Sequence, residues 1–165
     1  MQWSTIWQAA KIIGLDFLLA STKPNSMHKQ SPYILLVDDD IDDRYLMSAS
    51  FAEIGWSENV KLIESSIELI NYLHKLPEDF YPSLIVLDYN MPKCNGAETL
   101  ALLKKESRFR DIAVAIYSSH MNTLLENSLK LLGATACFPK SFSPSKTSEL
   151  VQALKKIAEE KTIKA

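Results

Sequence analysis

The chain is predicted to fold as an α/β domain: a parallel β-sheet with helices on both faces. Two observations predict this. From Tyr33 onward, five short aliphatic runs alternate with five stretches whose apolar residues recur at helical spacing, which is the rhythm of successive βαβ units. The runs ILLV (34–37) and LIVL (84–87) also contain no polar residue, as strands buried on both faces require.

The elements follow in order. YILLV (33–37) is the first strand. Asp40 stands where a helix N-cap belongs, and Asp42 and Asp43 suit the positive end of the helix dipole. Met47, Phe51 and Ile54 then recur at i, i+4 and i+7. Trp56, after Gly55, reads as an aromatic over the edge of the core. NVKLIE (59–64) is the second strand, and Leu69, Leu73 and Leu76 give the next helix its stripe. SLIVL (83–87) is the third strand, Asn95-Gly96 reads as a turn, and Ala97, Leu100 and Leu103 mark a shorter helix. IAVAIY (112–117) is the fourth strand, with Leu125, Leu129 and Leu132 after it. ATACF (134–138) is a weak fifth strand. The last helix carries Leu150, Leu154 and Ile157, with Ser143 as N-cap and Pro144 in the first helical position.

A length of 165 residues suits one domain with a continuous core. Its bounds are read as residues 31–160, with 161–165 as a tail. Residues 1–30 read as an N-terminal extension or linker: the first eighteen or so are moderately apolar but broken by Lys11 and Asp16, and a polar stretch with two prolines follows. Met27 offers a second place for translation to begin, so the extension reads as a start-site artefact or, failing that, a docking segment. It is too short and too interrupted for a membrane span, and it lacks the pattern of a secretory signal. A net charge of −2 provides no basic field for nucleic acid or an anionic membrane. Two cysteines, Cys94 and Cys137, are too few for a disulfide framework, and with the ordinary composition they point to a reducing, cytoplasmic setting.

In parallel sheets of this class, ligands sit beyond the carboxyl ends of the strands. The first strand ends in Asp38-Asp39-Asp40, the third in Asp88, the fourth in Ser118-Ser119, and the fifth in Pro139-Lys140. Carboxylates gathered on one rim repel each other, and a divalent cation would hold them all ionised. Oxygen ligands without His or Cys point to Mg²⁺. A carboxylate at the end of a buried strand can act as a nucleophile toward phosphorus. Phosphoryl transfer needs mainly positioning and charge neutralisation, and Lys140 and the Ser118 hydroxyl are candidates for the transferred oxygens.

The segments ILLVDD (34–39), LIVLDYNMP (84–92) with Gly96, AIYSS (115–119) and Pro139-Lys140 resemble the receiver domains of bacterial two-component response regulators. They occur in order, each at a strand end, over roughly residues 31 to 160. The resemblance implies a flavodoxin-like sheet of strand order 2-1-3-4-5. It implies Asp88 as phosphoacceptor, Asp38 and Asp39 as the acidic pair with Asp39 the direct Mg²⁺ ligand, and the Asn90 main-chain carbonyl as a further ligand. It makes Ser118 the switch hydroxyl and Lys140 the phosphate-binding lysine. His120 occupies a position that can face the phosphoryl group in this family. A sensor histidine kinase or phosphotransfer protein would supply the group, and another protein would read the result. With no further domain expected after the last helix, the sequence predicts a stand-alone regulator with no DNA-binding module.

Three positions depart from the family pattern. Ser141 follows the lysine where proline, often after a cis bond, is usual; a cis bond before a non-proline residue costs about 2.5–4 kcal/mol, so a trans bond is predicted. Cys137 stands three residues before the lysine, where an aromatic usually turns inward on activation, leaving Tyr117, Phe138 or Phe142 as substitutes. Ala113 replaces a proline at the start of the fourth strand. Two rival functions are consistent with parts of the sequence. VDDDI (37–41) loosely fits the nucleophile motif of haloacid-dehalogenase-like phosphatases, but no acidic pair follows the lysine outside the last helix. The other rival is a pseudo-receiver that binds partners without phosphorylation.

Overall fold

The computed structural model describes residues 31–141 and 143–164. The extension predicted for residues 1–30, and Phe142, lie outside the described residues. Five parallel strands form one sheet: β1 (Ile34–Val37), β2 (Val60–Ile63), β3 (Leu84–Asp88), β4 (Ala113–Ser118) and β5 (Ala136–Pro139). The α-helices among the described residues are α1 (Ile41–Glu53), α2 (Ser66–Lys75), α3 (Gly96–Lys105), α4 (Thr123–Leu131) and α5 (Pro144–Lys164). The strand order is β2-β1-β3-β4-β5, as the resemblance implies.

The three central strands are buried at every position, whereas β2 and β5 at the edges are only partly covered. Side chains alternate across a strand, so Ile34, Leu36, Leu84 and Val86 share one face, where they meet Met47 and Phe51 of α1 and Val151 and Leu154 of α5. Of the stripes predicted for α2 and α3, Leu69, Leu73, Leu76, Leu100 and Leu103 are buried and Ala97 is half-buried. Each such leucine contributes about 1.5–3 kcal/mol. Trp56 is buried beside the sheet and stacks on Phe51, with ring centroids 6.3 Å apart.

Most differences from the sequence prediction fall at element ends. Asn59 closes a 3₁₀ turn over Ser57–Asn59, so β2 starts one residue late. The fifth strand begins at Ala136 rather than Ala134. Gly133 takes φ +101°, donating its N–H to the Lys130 carbonyl, while the Ala134 N–H reaches the Leu129 carbonyl. This is a Schellman cap, for which only glycine is unstrained, and it ties Ala134 to the end of α4. On α4 the stripe is buried only at Leu129, and Leu132 is exposed. Helix α5 continues to Lys164, through most of the stretch assigned to a tail, and Thr162 hydrogen-bonds Ser83 at 2.7 Å. Ser143 precedes Pro144 as predicted, and its carbonyl accepts the Thr147 N–H. No described helix is long and apolar enough to cross a membrane.

Candidate functional site

Parallel pairing brings the strand ends level. Val37 pairs with Leu87, Asp88 with Tyr117, and Ser118 with Pro139, so Asp38, Asp88, Ser118 and Lys140 reach the same rim. The Lys140 N–H donates to the Ser118 carbonyl at 2.9 Å, fixing the root of the lysine. Its ammonium lies 2.7 Å from Asp43 Oδ2, 2.9 Å from Asp38 Oδ2 and 3.0 Å from Asp88 Oδ1. The lysine side chain is 9% exposed. Burial would lower its pKa, but its hydrogen bonds to Asp43 and Asp38 outweigh burial and hold it above the ordinary lysine value.

Asp88 is 3% exposed. Oδ2 accepts the Asn90 N–H at 3.1 Å, while Oδ1 has the ammonium beside it but no hydrogen bond. Burial pushes its pKa up, helped by the Asp38 charge and opposed by Lys140 and the Asn90 N–H. Asp38 is fully buried and held on several sides: Oδ1 accepts the Asp40 N–H at 2.9 Å, and Oδ2 accepts from Lys140 and the Tyr117 hydroxyl. Arg44 Nη1 donates to the Asp38 carbonyl at 2.6 Å. Asp39 is exposed. Asp40 is the N-cap of α1, as predicted, accepting from the N–H groups of Asp42 and Asp43.

Ser118 is fully buried, and its Oγ accepts the His120 N–H at 3.2 Å. His120 itself is exposed. Asn95 and Gly96 need a different description from the turn predicted for them. Asn95 is the N-cap of α3, in a capping box with Glu98. Gly96 packs against the site backbone: a Cβ there would fall 2.5 Å from the Asp88 carbonyl oxygen. The residue that sequence reasoning missed is Asp43, assigned only to the helix dipole. The signal available was its spacing, which puts it one turn beyond the acidic run.

Asp38, Asp39 and Asp88 each offer a carboxylate oxygen within 4.8 Å of the others. Asp39 is free, Asp88 Oδ1 lacks a hydrogen bond, and Asp38 keeps an unused lone pair on Oδ1. Such an all-oxygen set fits Mg²⁺.

The model of the response regulator receiver domain matches residues 34–155. The chain belongs to the response regulator receiver family. It is 31% identical over 120 residues to the two-component response regulator ORR5 of Oryza sativa, covering 73% of this chain and 86% of that one. It is 32% identical over 124 residues to the CpxR homolog of Haemophilus influenzae, a transcriptional regulatory protein. That match covers 75% of this chain and 49% of the other, so the chain spans about half of that regulator. Among solved structures, the phosphorylated cyanobacterial phytochrome response regulator RcpA aligns with TM-score 0.68 and 26% identity, over 79% of this chain and 95% of that one. Receiver domains generally accept a phosphoryl group on an aspartate, generally bind Mg²⁺, and interact with histidine kinases or phosphotransfer proteins.

Two departures of this receiver are resolved in its structure. The Lys140–Ser141 peptide is trans, as there is no cis peptide bond among the described residues. Cys137 lies partly buried on β5, where burial raises the pKa of its thiol. Of the aromatics proposed to substitute, Phe138 packs partly buried at the edge of the core. Tyr117 is buried, with its ring 4.7 Å from the Lys140 ammonium.

Proposed function

We propose that this receiver accepts a phosphoryl group on Asp88 from a phosphohistidine of a sensor histidine kinase or phosphotransfer protein. The observation that carries this is Asp88 Oδ1: buried, without a hydrogen bond, and 3.0 Å from an ammonium. An Asp88 oxygen attacks phosphorus as the P–N bond breaks, giving an aspartyl phosphate. The imidazole keeps the electron pair of that bond and takes up a proton. Asp38, Asp39, Asp88 and the Asn90 main-chain carbonyl would hold Mg²⁺, which when bound neutralises charge on the transferred oxygens. Lys140 pairs with one of those oxygens and Ser118 donates to another. To do so, Ser118 turns its hydroxyl away from its resting contact with the His120 N–H. The Ser118–Met121 loop and α4 then favour a second arrangement, which a partner protein reads.

Asp38 makes a poor nucleophile by comparison, because both of its oxygens already accept hydrogen bonds; this disfavours the phosphatase reading. Intact-mass spectrometry after incubation with acetyl phosphate and Mg²⁺ tests the proposal. One alkali-labile phosphoryl adduct is expected, dependent on Mg²⁺ and absent from Asp88→Ala. A folded wild-type protein that takes no adduct would instead be a phosphorylation-independent binding module.

A further inference from the structure

We propose, resting on Asp88 as the phosphoacceptor, that Asp43 is a positioning residue that aims the Lys140 ammonium at Asp88. A lysine ammonium has three N–H donors on a flexible stem. Here two of them are engaged from the α1 side, by Asp43 Oδ2 at 2.7 Å and Asp38 Oδ2 at 2.9 Å. The same ammonium lies 3.0 Å from Asp88 Oδ1.

Asp43 is itself held. Its backbone N–H donates to the N-cap carboxylate of Asp40 at 3.3 Å, which fixes the first turn of α1 below the lysine. The Tyr117 ring closes another side of the ammonium, and its hydroxyl binds the same Asp38 oxygen. The cavity beside these groups, lined by Asp43, Tyr117, Lys140 and Thr147, is about 20 Å³. That is room for roughly one water. An aspartate serving only the helix dipole would face solvent. The Asp43 carboxylate is instead 16% exposed and makes the shortest contact to the ammonium. Holding Lys140 in place beforehand removes the ordering of a long side chain from the transfer step.

The decisive comparison is the rate of adduct formation from acetyl phosphate and Mg²⁺ in wild type, Asp43→Asn and Asp43→Ala. Asp43→Ala removes the acceptor and is expected to slow formation roughly ten- to a hundredfold. Asp43→Asn keeps an acceptor oxygen and should stay within about threefold of wild type. Wild-type rates in Asp43→Ala, or an equal loss in Asp43→Asn, would overturn the proposal while leaving Asp88 as phosphoacceptor. A ¹⁵N spectrum of the lysine ammonium groups judges Asp43 even if wild type takes no adduct, the result that would instead sink the phosphoacceptor reading. Protected Lys140 ammonium protons are expected in wild type. Exchange as fast as that of surface lysines would overturn the proposal without recourse to any variant.

Discussion

The two sides of the Asp88 rim are built differently. On the α1 side, Lys140, Asp38, Asp43 and Tyr117 hold one another through hydrogen bonds and an ammonium–ring contact, largely out of solvent. On the other side, Ser118 has one hydrogen bond of its side chain to the loop, β5 is only partly covered, and α4 turns Leu124 and Leu131 outward at 79% and 90% exposure. A preorganised set of charges suits the chemistry, because phosphoryl transfer is helped most by groups already in place. A sparsely held face suits the response, because elements that switch come from the less stable part of a fold. Under the proposed function, the preorganised charges serve the transfer from one side of the rim, while the other side pairs the Ser118 hydroxyl with a face free to be read.

Replacing Lys140 breaks the tightly held side most severely. Lys140→Met leaves Asp38, Asp43 and Asp88 without their shared cation, and removing one partner of a buried ion pair costs about 3–5 kcal/mol. Urea unfolding at neutral pH without divalent cations should show a loss of that size. The sign follows from the raised lysine pKa. The stabilisation is fully present below the ordinary lysine value and fades only as pH rises through the folded one. The gap between wild type and variant should therefore stay flat from pH 6 to pH 9. A gap that closed within that range would mean the ammonium is not the group holding this side together.

The sequence made one side more legible than the other, for physical reasons. Unbroken aliphatic runs such as ILLV and LIVL leave few alternatives to central parallel strands, and an acid at the end of each marks the rim directly. The helix stripes of α2 and α3 were legible for the same reason. Asp43 was not, because a carboxylate in a first helical turn already has an adequate explanation in the dipole. What gives it a second role is a lysine 97 residues away in sequence. Gly96 read as a turn because its constraint is the nearby carbonyl of Asp88, which local sequence does not encode. The α4 stripe located its helix, but period 3.6 does not say how much of that stripe the fold covers, and only Leu129 is buried.

A smaller effect of opposite sign is expected at Asp88. Its pKa is raised by burial, so the folded state favours the neutral acid. The cost of ionisation appears as pH climbs from the ordinary carboxylate value through the folded one, and is complete above it. Asp88→Asn, which mimics the neutral form, should be the more stable protein at neutral pH, with Tm higher by roughly 2–4 °C, the shift about 1 kcal/mol produces in a chain of this size. The difference should vanish below the ordinary carboxylate range. Added Mg²⁺ should narrow it at neutral pH by stabilising wild type alone. A destabilised Asp88→Asn at neutral pH would mean that Lys140 more than compensates the burial of Asp88.

The smallest effect belongs on the open face, where it is the most informative for readout. Leu131 is 90% exposed on α4, so Leu131→Ser removes little buried area and should change stability by less than about 0.5 kcal/mol. Adduct formation at Asp88 should also stay at the wild-type rate, since the variant leaves the α1-side network untouched. Urea unfolding and the acetyl phosphate assay check both points on the same sample. A loss well above 0.5 kcal/mol would show that α4 packs its leucines in solution, and the contrast between the two sides would then be one of degree. If stability holds and the phosphorylation rate falls, α4 and Asp88 are coupled before any partner binds, through the Ser118–Met121 loop from β4 or through Gly133 and β5, which lead to Lys140.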